Sequence, residues 1–162
     1  MTEHSPPPAL DDVDLRILEV LQHDGRVTNA DLARRVDLSP PAVLARVRRL
    51  QEQGYIRGFA ALLDRERVGY DMLCFVSVTL LAHGAQPVDA FRAAIADMPE
   101  VLECHHVTGE YDYLLKVAVR NRKALERFVL DRLTPVPGIA RIHTSLVLRE
   151  IKSTTALPLC AD

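Results

Sequence analysis

Between Val13 and Leu50 the apolar residues recur at helical spacing, in three groups parted by short polar breaks. Val13, Ile17, Leu18 and Leu21 share one face behind a cap at Asp11 or Asp12, and Asp24-Gly25 stops the run. Thr28 caps a second group in which Leu32, Ala33 and Val36 face inward. Ser39 caps a third, with Pro40 and Pro41 in its first turn, where a missing N–H costs nothing. The buried stripe of that third group is Val43, Val47 and Leu50, and Gly54 ends it. Three helices are therefore predicted over residues 11–54, after a Pro-rich, disordered tail at residues 1–10.

Residues 55–70 read as an extended connector and then a loop closed by Gly69, a hinge between domains. From Met72 the pattern changes. MLCFVSVTLLA is a β-rich run, and PVDAFRAAIADM is helical with Val88, Phe91, Ile95 and Met98 on one face. VLECHHVTGEYDYLLKVAV reads as two strands folded at a short Gly109-Glu110 turn. NRKALERFVLDRL is helical with Leu125, Phe128, Val129 and Leu133 inward, Pro137-Gly138 breaks it, and IARIHTSLVLRE is a last strand. The order over residues 71–152 is β-α-β-β-α-β, the ferredoxin-like arrangement, followed by a short polar tail at 153–162. The expected class is α+β. The first strand is apolar on both faces, with Met72, Cys74, Val76 and Val78 alternating with Leu73 and Phe75. Helices cover one face of such a sheet, so a second copy of the chain, sheet against sheet, is the expected cover for the other.

Composition narrows the partners. The chain has 162 residues, a formal charge of -2 and a pI near 6.3, so any nucleic-acid footprint must be local. The basic residues are almost all Arg; Lys occurs only at 116, 123 and 152. Cys74, Cys104 and Cys160 are too few and scattered for a disulfide framework or zinc site, and Cys74 and Cys104 read as reduced core residues. MTEHSPPPA has neither a basic n-region nor an apolar h-region, and no apolar stretch reaches the roughly 20 residues that span a bilayer. A soluble, cytoplasmic chain without membrane contact is expected.

The third helix carries the candidate chemistry. With Val43, Val47 and Leu50 buried, Ala45, Arg48, Arg49 and Glu52 point away and Arg46 lies on the flank. Exposed arginines on a second helix just after a tight turn fit a recognition helix in the major groove of double-stranded DNA. Their forked donors suit guanine O6/N7 and their charge suits phosphate. Ser39 at the helix start and small Ala42 and Ala45 let the backbone approach base edges. Arg34 and Arg35 on the second helix and Arg57 on the connector are placed to grip flanking phosphates, which positions a protein without reading sequence. The alternative is a solvated basic face on a three-helix bundle.

LDDVDLRILEVLQHDGRVTNADLARRVDLS, then Arg46-Val47, Arg49-Leu50 and Gly54-Tyr55-Ile56, resembles the leucine-responsive regulatory protein family (Lrp/AsnC, or feast/famine regulators). MPEVLECHHVTGEYDYLLKV is similar to that family's ligand-domain hairpin, and PGIARIHTSLVLREIK to its last strand. The resemblance runs from about Leu10 to Lys152 and implies a (winged) helix-turn-helix ahead of a ligand-binding and oligomerisation domain. Asp37 stands where the family usually has Gly. Asp tolerates a left-handed backbone better than most residues, so a retained, slightly strained turn is expected.

Thr108-Gly109-Glu110-Tyr111-Asp112-Tyr113 is the other informative segment. Gly109 permits a reversal with positive φ, acidic Glu110 and Asp112 can receive an ammonium group, and turn N–H groups can receive a carboxylate. An ordinary polar hairpin turn has the same composition. The resemblance implies that a small amino acid binds here, between dimers, at Thr108, Gly109, Glu110, Tyr111 and Asp112, with help from Thr144 and Ser145. Asp112 is then the ammonium partner, and Gly109 and Glu110 supply backbone donors. Thr79 and Leu80 are placed to line the side-chain pocket.

Cys104, His105 and His106 do not make a metal site: on a strand only Cys104 and His106 share a face, and nothing completes a ligand set. Isolated His143 is read likewise, and no nucleophile elbow, Walker loop or dinucleotide-binding glycine cluster occurs. No catalytic residue and no cofactor is expected. The leading reading is a DNA-binding transcriptional regulator, a homodimer assembling to a tetramer or octamer, whose assembly or DNA affinity responds to an amino acid. A siroheme-decarboxylase-like enzyme of the same architecture is one alternative. Those enzymes carry a Trp-bearing Asn-Ala-Met motif on the first ligand-domain strand, whereas this strand reads GYDMLCFVSV and the chain has no Trp. An amino-acid sensor whose helix-turn-helix serves only protein contacts is the other.

Overall fold

The computed structural model describes residues 9–82 and 84–159. The tail expected at residues 1–10 lies almost wholly outside them, as does Cys160. The chain divides into two compact units: one runs to Leu62 and is rejoined by the segment from Lys152, and the other spans Leu63–Ile151.

The first unit holds α1 (Asp12–His23), α2 (Asn29–Val36) and α3 (Pro40–Glu52). Each helix starts at a side-chain cap. At α1 the Asp11 carboxylate accepts the Asp14 N–H at 2.7 Å, and the Asp14 carboxylate accepts the Asp11 N–H at 3.3 Å. Thr28 Oγ1 accepts the Asp31 N–H at 3.1 Å, and Ser39 Oγ the Ala42 N–H at 3.4 Å. Such caps typically stabilise by about 1 kcal/mol each. Ile17, Leu32, Ala33, Val36, Val43 and Leu50 are buried together, with Val47 packed at their margin. Burying an Ile or Leu side chain stabilises by roughly 1.5–3 kcal/mol, so this small core is the unit's main support.

The turn between α2 and α3 is held at Asp37, with φ 57° and ψ 49°, the one non-glycine residue at positive φ among the described residues. There the Asp37 and Leu38 N–H groups both donate to the Ala33 carbonyl, closing α2. The strained turn expected from Asp in place of Gly is what forms.

The beginning of the expected hinge belongs to the helical unit. Tyr55 and Ile56 pack on its core, and the Ile56 N–H donates to the Leu50 carbonyl at 3.1 Å. The C-terminal segment also returns to this unit: Gln22 Nε2 donates to the Leu157 carbonyl at 2.8 Å, and the Leu157 N–H donates to Gln22 Oε1 at 2.9 Å.

The second unit runs β1 (Met72–Leu80), α4 (Ala85–Ala96), β2 (Val101–His106), β3 (Tyr113–Val119), α5 (Arg122–Arg127) and β4 (Ile139–Leu146). Its antiparallel pairings place the strands in the order β2-β3-β1-β4. The predicted second helix is in two parts. Past Arg127 it widens into a π-helical turn, Phe128–Leu133, where Thr134 donates both its N–H and its hydroxyl to the Val129 carbonyl, at 2.9 and 2.7 Å. Cys74, Val76, Val78 and Leu80 of β1 meet Phe91, Ile95, Phe128 and Leu133 in the core. The alternate β1 positions look the other way, and Phe75 there is 39% exposed.

Candidate DNA and effector sites

On α3 the residues Pro41, Ala45, Arg48 and Glu52 form an exposed stripe at i, i+4, i+7 and i+11, and Ser39 is exposed at the helix start. Ala42 is half-buried beside them. The stripe thus presents small residues near its N-terminus and one guanidinium further along. Among the described residues Arg48 has no ion-pair partner, and neither has exposed Arg57. Arg34 is paired with Asp31, and Arg35 lies 4.0 Å from Asp24. Both remain exposed, and pairs of that kind contribute little.

Arg46 and Arg49, expected as exposed donors for bases and phosphates, are instead bound within the unit. Arg46 Nη1 donates to Asp14 Oδ1 at 2.8 Å and to Asp11 Oδ2 at 2.7 Å, while Arg49 Nη2 donates to the other oxygen, Asp14 Oδ2. Asp14 is 1% exposed, the one buried charged residue among those described. The physical reason is geometric: Arg46 lies three residues after Val43 and four before Leu50, at the edge of the apolar stripe that docks on α1. A buried carboxylate costs several kcal/mol to desolvate, and two guanidinia with the Asp11 N–H are what offset it here. The Arg46 hydrogen bond holds the Asp11 carboxyl below its ordinary value, and the two acids in turn make the Arg46 guanidinium harder to deprotonate.

The second candidate site lies between β2 and β3, where the chain turns over residues 107–112, a longer loop than the short turn expected. The Val107 N–H donates to the Asp112 carbonyl at 2.9 Å, and Gly109 has φ 125°. Asp112 is tied to β1: its N–H donates to the Val78 carbonyl at 3.0 Å, and its Oδ2 accepts the Leu80 N–H at 2.7 Å. Glu110 instead pairs with Arg141 of β4 at 3.2 Å, with both side chains more than half exposed. Arg141 lies over the Tyr111 ring at 5.5 Å, and that ring stacks on His143 at 6.1 Å. Beside this cluster the Thr79 hydroxyl is buried without a hydrogen-bond partner.

Arg141 and His143 are not among the residues predicted from sequence. Thr144 and Ser145 are, yet they sit apart from the loop in this chain. Thr144 pairs with Val76 and Ser145 with Phe75, on opposite faces of β4. Ser145 is three β1 residues away from the Asp112 anchor at Val78, about 10 Å at strand rise. Thr108 and Gly109 are exposed at the loop tip.

Cys104 is exposed rather than buried in the core. It lies on β2, an edge strand whose residues from Leu102 to His106 are all exposed. Cys74 is buried, which pushes its thiol pKa up. Among the described residues no group of three His, Cys, Asp or Glu is placed to hold a metal ion, and no helix is long and apolar enough to cross a membrane.

Residues 73–157 match the Lrp/AsnC ligand binding domain, and residues 10–57 match a winged helix-turn-helix DNA-binding domain. The Bkd operon transcriptional regulator of Pseudomonas aeruginosa is 41% identical over 150 residues, 93% of this chain and 98% of that protein. The leucine-responsive regulatory protein of Salmonella typhimurium is 40% identical over 148 residues, 91% of this chain and 90% of that one. Among solved structures, a transcriptional regulator of Neisseria meningitidis in complex with L-Met superposes with a TM-score of 0.89 at 42% identity, covering 93% of this chain and 97% of its own.

Proposed function

The chain belongs to the Lrp/AsnC family of transcriptional regulators, and on that premise we propose that it regulates transcription by presenting α3 to the major groove, under control of a small amino acid. The observation that carries the DNA half of this reading is the exposed α3 stripe behind the Asp37 turn. Ser39, Ala42, Ala45 and Arg48 face the bases, Arg46 and Arg49 lie at the α1 edge of the same helix, and Arg34, Arg35 and Arg57 flank them toward phosphates. Because the whole chain is slightly acidic, these few cations act best in pairs, from two copies of the chain. The β1 face that carries Phe75 supports sheet-to-sheet pairing of those copies, with tetramers or octamers built from the dimers.

The regulatory half rests on the loop at 107–112. Glu110 and Arg141 present opposite charges side by side, matched to the ammonium and carboxylate of a zwitterion, with Tyr111 and Thr108 at the rim. Asp112 keeps the loop on β1 as well as adding negative charge. The Neisseria regulator's L-Met complex supports an amino acid as the ligand class.

Two measurements test the reading. Binding of the full chain to a duplex selected from a random library should weaken steeply with salt, and the absence of any selected duplex would refute DNA recognition. In a thermal-shift screen of the twenty amino acids, a true effector at 100 times its Kd should add about 2.7 kcal/mol of stability. A flat response across all twenty would remove the effector half.

A further inference from the structure

Five arginines lie on or beside the proposed DNA surface of α2 and α3, and the structure treats them unequally. Arg46 and Arg49 share one carboxylate, Asp14, through its two oxygens, and Arg46 holds Asp11 as well. Asp14 is 1% exposed, and its second duty is to close the capping box of α1 with the Asp11 N–H. Withdrawing either guanidinium toward a phosphate would leave that buried acid short of a partner. Arg48 is different. It is exposed, it has no ion-pair partner among the described residues, and it shares the outward stripe with Pro41, Ala45 and Glu52. Its five donors are uncommitted, which bidentate readout of guanine O6/N7 requires.

We propose that Asp14 is a positioning residue for DNA reading: it holds Arg46 and Arg49 against α1 and so leaves Arg48 as the α3 arginine that makes the base-discriminating contact. This deepens the reading of α3 as the recognition helix and rests on it. It also assigns the buried acid a purpose on the DNA face. Two extra mobile cations there would strengthen binding to any duplex, which lowers discrimination. By binding them, Asp14 sets how much of the surface is read and how much is merely attracted.

The test uses the full-length protein in two measurements. In the first, without DNA, phenylglyoxal modification is mapped by mass spectrometry. Arg48 should react ahead of Arg46 and Arg49, and Asp14→Asn should accelerate those two. Equal rates for all three in the wild type would overturn the proposal. In the second, anisotropy titrations compare a wild-type-selected duplex with a scrambled one across a salt series. Asp14→Asn should steepen the salt dependence on the scrambled duplex by up to about two units, one per released arginine, and lower the ratio of specific to non-specific affinity. Arg48→Ala should lower that ratio about 5- to 150-fold, the value of one bidentate base contact. A purely structural Asp14 would weaken both duplexes alike with an unchanged slope. That result, in a variant with native circular dichroism, overturns the proposal. So does a larger loss of discrimination in Arg49→Lys than in Arg48→Lys. If the wild type selects no duplex, the DNA reading itself fails, while the modification pattern still decides whether Asp14 holds the arginines.

Discussion

Each unit of this chain commits a carboxylate at the edge of its candidate site, and the two commitments differ in kind. In the helical unit, buried Asp14 is met by side chains from another helix, Arg46 and Arg49. In the sheet unit, Asp112 is met by main chain, its Oδ2 accepting the Leu80 N–H at the end of β1. A side-chain partner can be released and used elsewhere, whereas a main-chain partner cannot leave its strand. Change at Asp14 therefore redistributes charge over the surface proposed to meet DNA. Change at Asp112 loosens the end of β1, a central strand, and with it the anchoring of the loop at 107–112.

The sharpest way to break this contrast is to remove both side-chain partners of Asp14. Arg46→Ala with Arg49→Ala strands a carboxylate that is 1% exposed, so the helical unit should lose roughly 3–5 kcal/mol. Urea unfolding followed by helical circular dichroism reads this, and an unchanged midpoint would mean that Asp14 does not depend on them. Asp112→Ala should cost less, about 1–3 kcal/mol, by leaving the Leu80 N–H unpaired at a residue only 3% exposed. The Leu80 amide should then exchange faster, and Asp112→Asn, which keeps an acceptor, should largely restore its protection. Asp37→Gly tests the turn between the helices. Relieving φ 57° should stabilise by up to about 1 kcal/mol, seen as a higher unfolding midpoint.

The smallest effect is in acid. The Arg46 hydrogen bond, and then the Asp14 N–H, hold the Asp11 carboxyl below its ordinary 3.8. A carboxyl depressed in the folded state adds stability above its ordinary value, and that stability is lost as pH falls through the lower folded value. An NMR titration should show Asp11 moving up toward 3.8 in Arg46→Ala. No movement would place Arg46 elsewhere in solution.

Much of the architecture was legible because it is local. Helix caps at Thr28 and Ser39, the left-handed turn at Asp37 and the β-α-β-β-α-β order all follow from neighbours within a few residues. The allegiance of the arginines was not, since it depends on how α1 meets α3. A signal was present: Asp14 falls inside the apolar stripe of Val13, Ile17, Leu18 and Leu21, where a lone acid needs a cationic partner. The exposure of Cys104 depends on β2 being an edge strand, and strand order is not written in any one strand. Likewise Arg141 and His143 reach the loop at 107–112 through the register of β4 on β1, which only the assembled sheet fixes.

The mutual bonds between Gln22 and Leu157 have a consequence in time. They join residues 135 positions apart, so α1 is made long before the segment that returns to it. At about 5–20 residues per second of synthesis, the interval is on the order of ten seconds. The whole sheet unit leaves the ribosome within that window. The helical unit must therefore stand on its own core while its neighbour folds, and it gains the Leu157 contacts only after the sheet unit has been made.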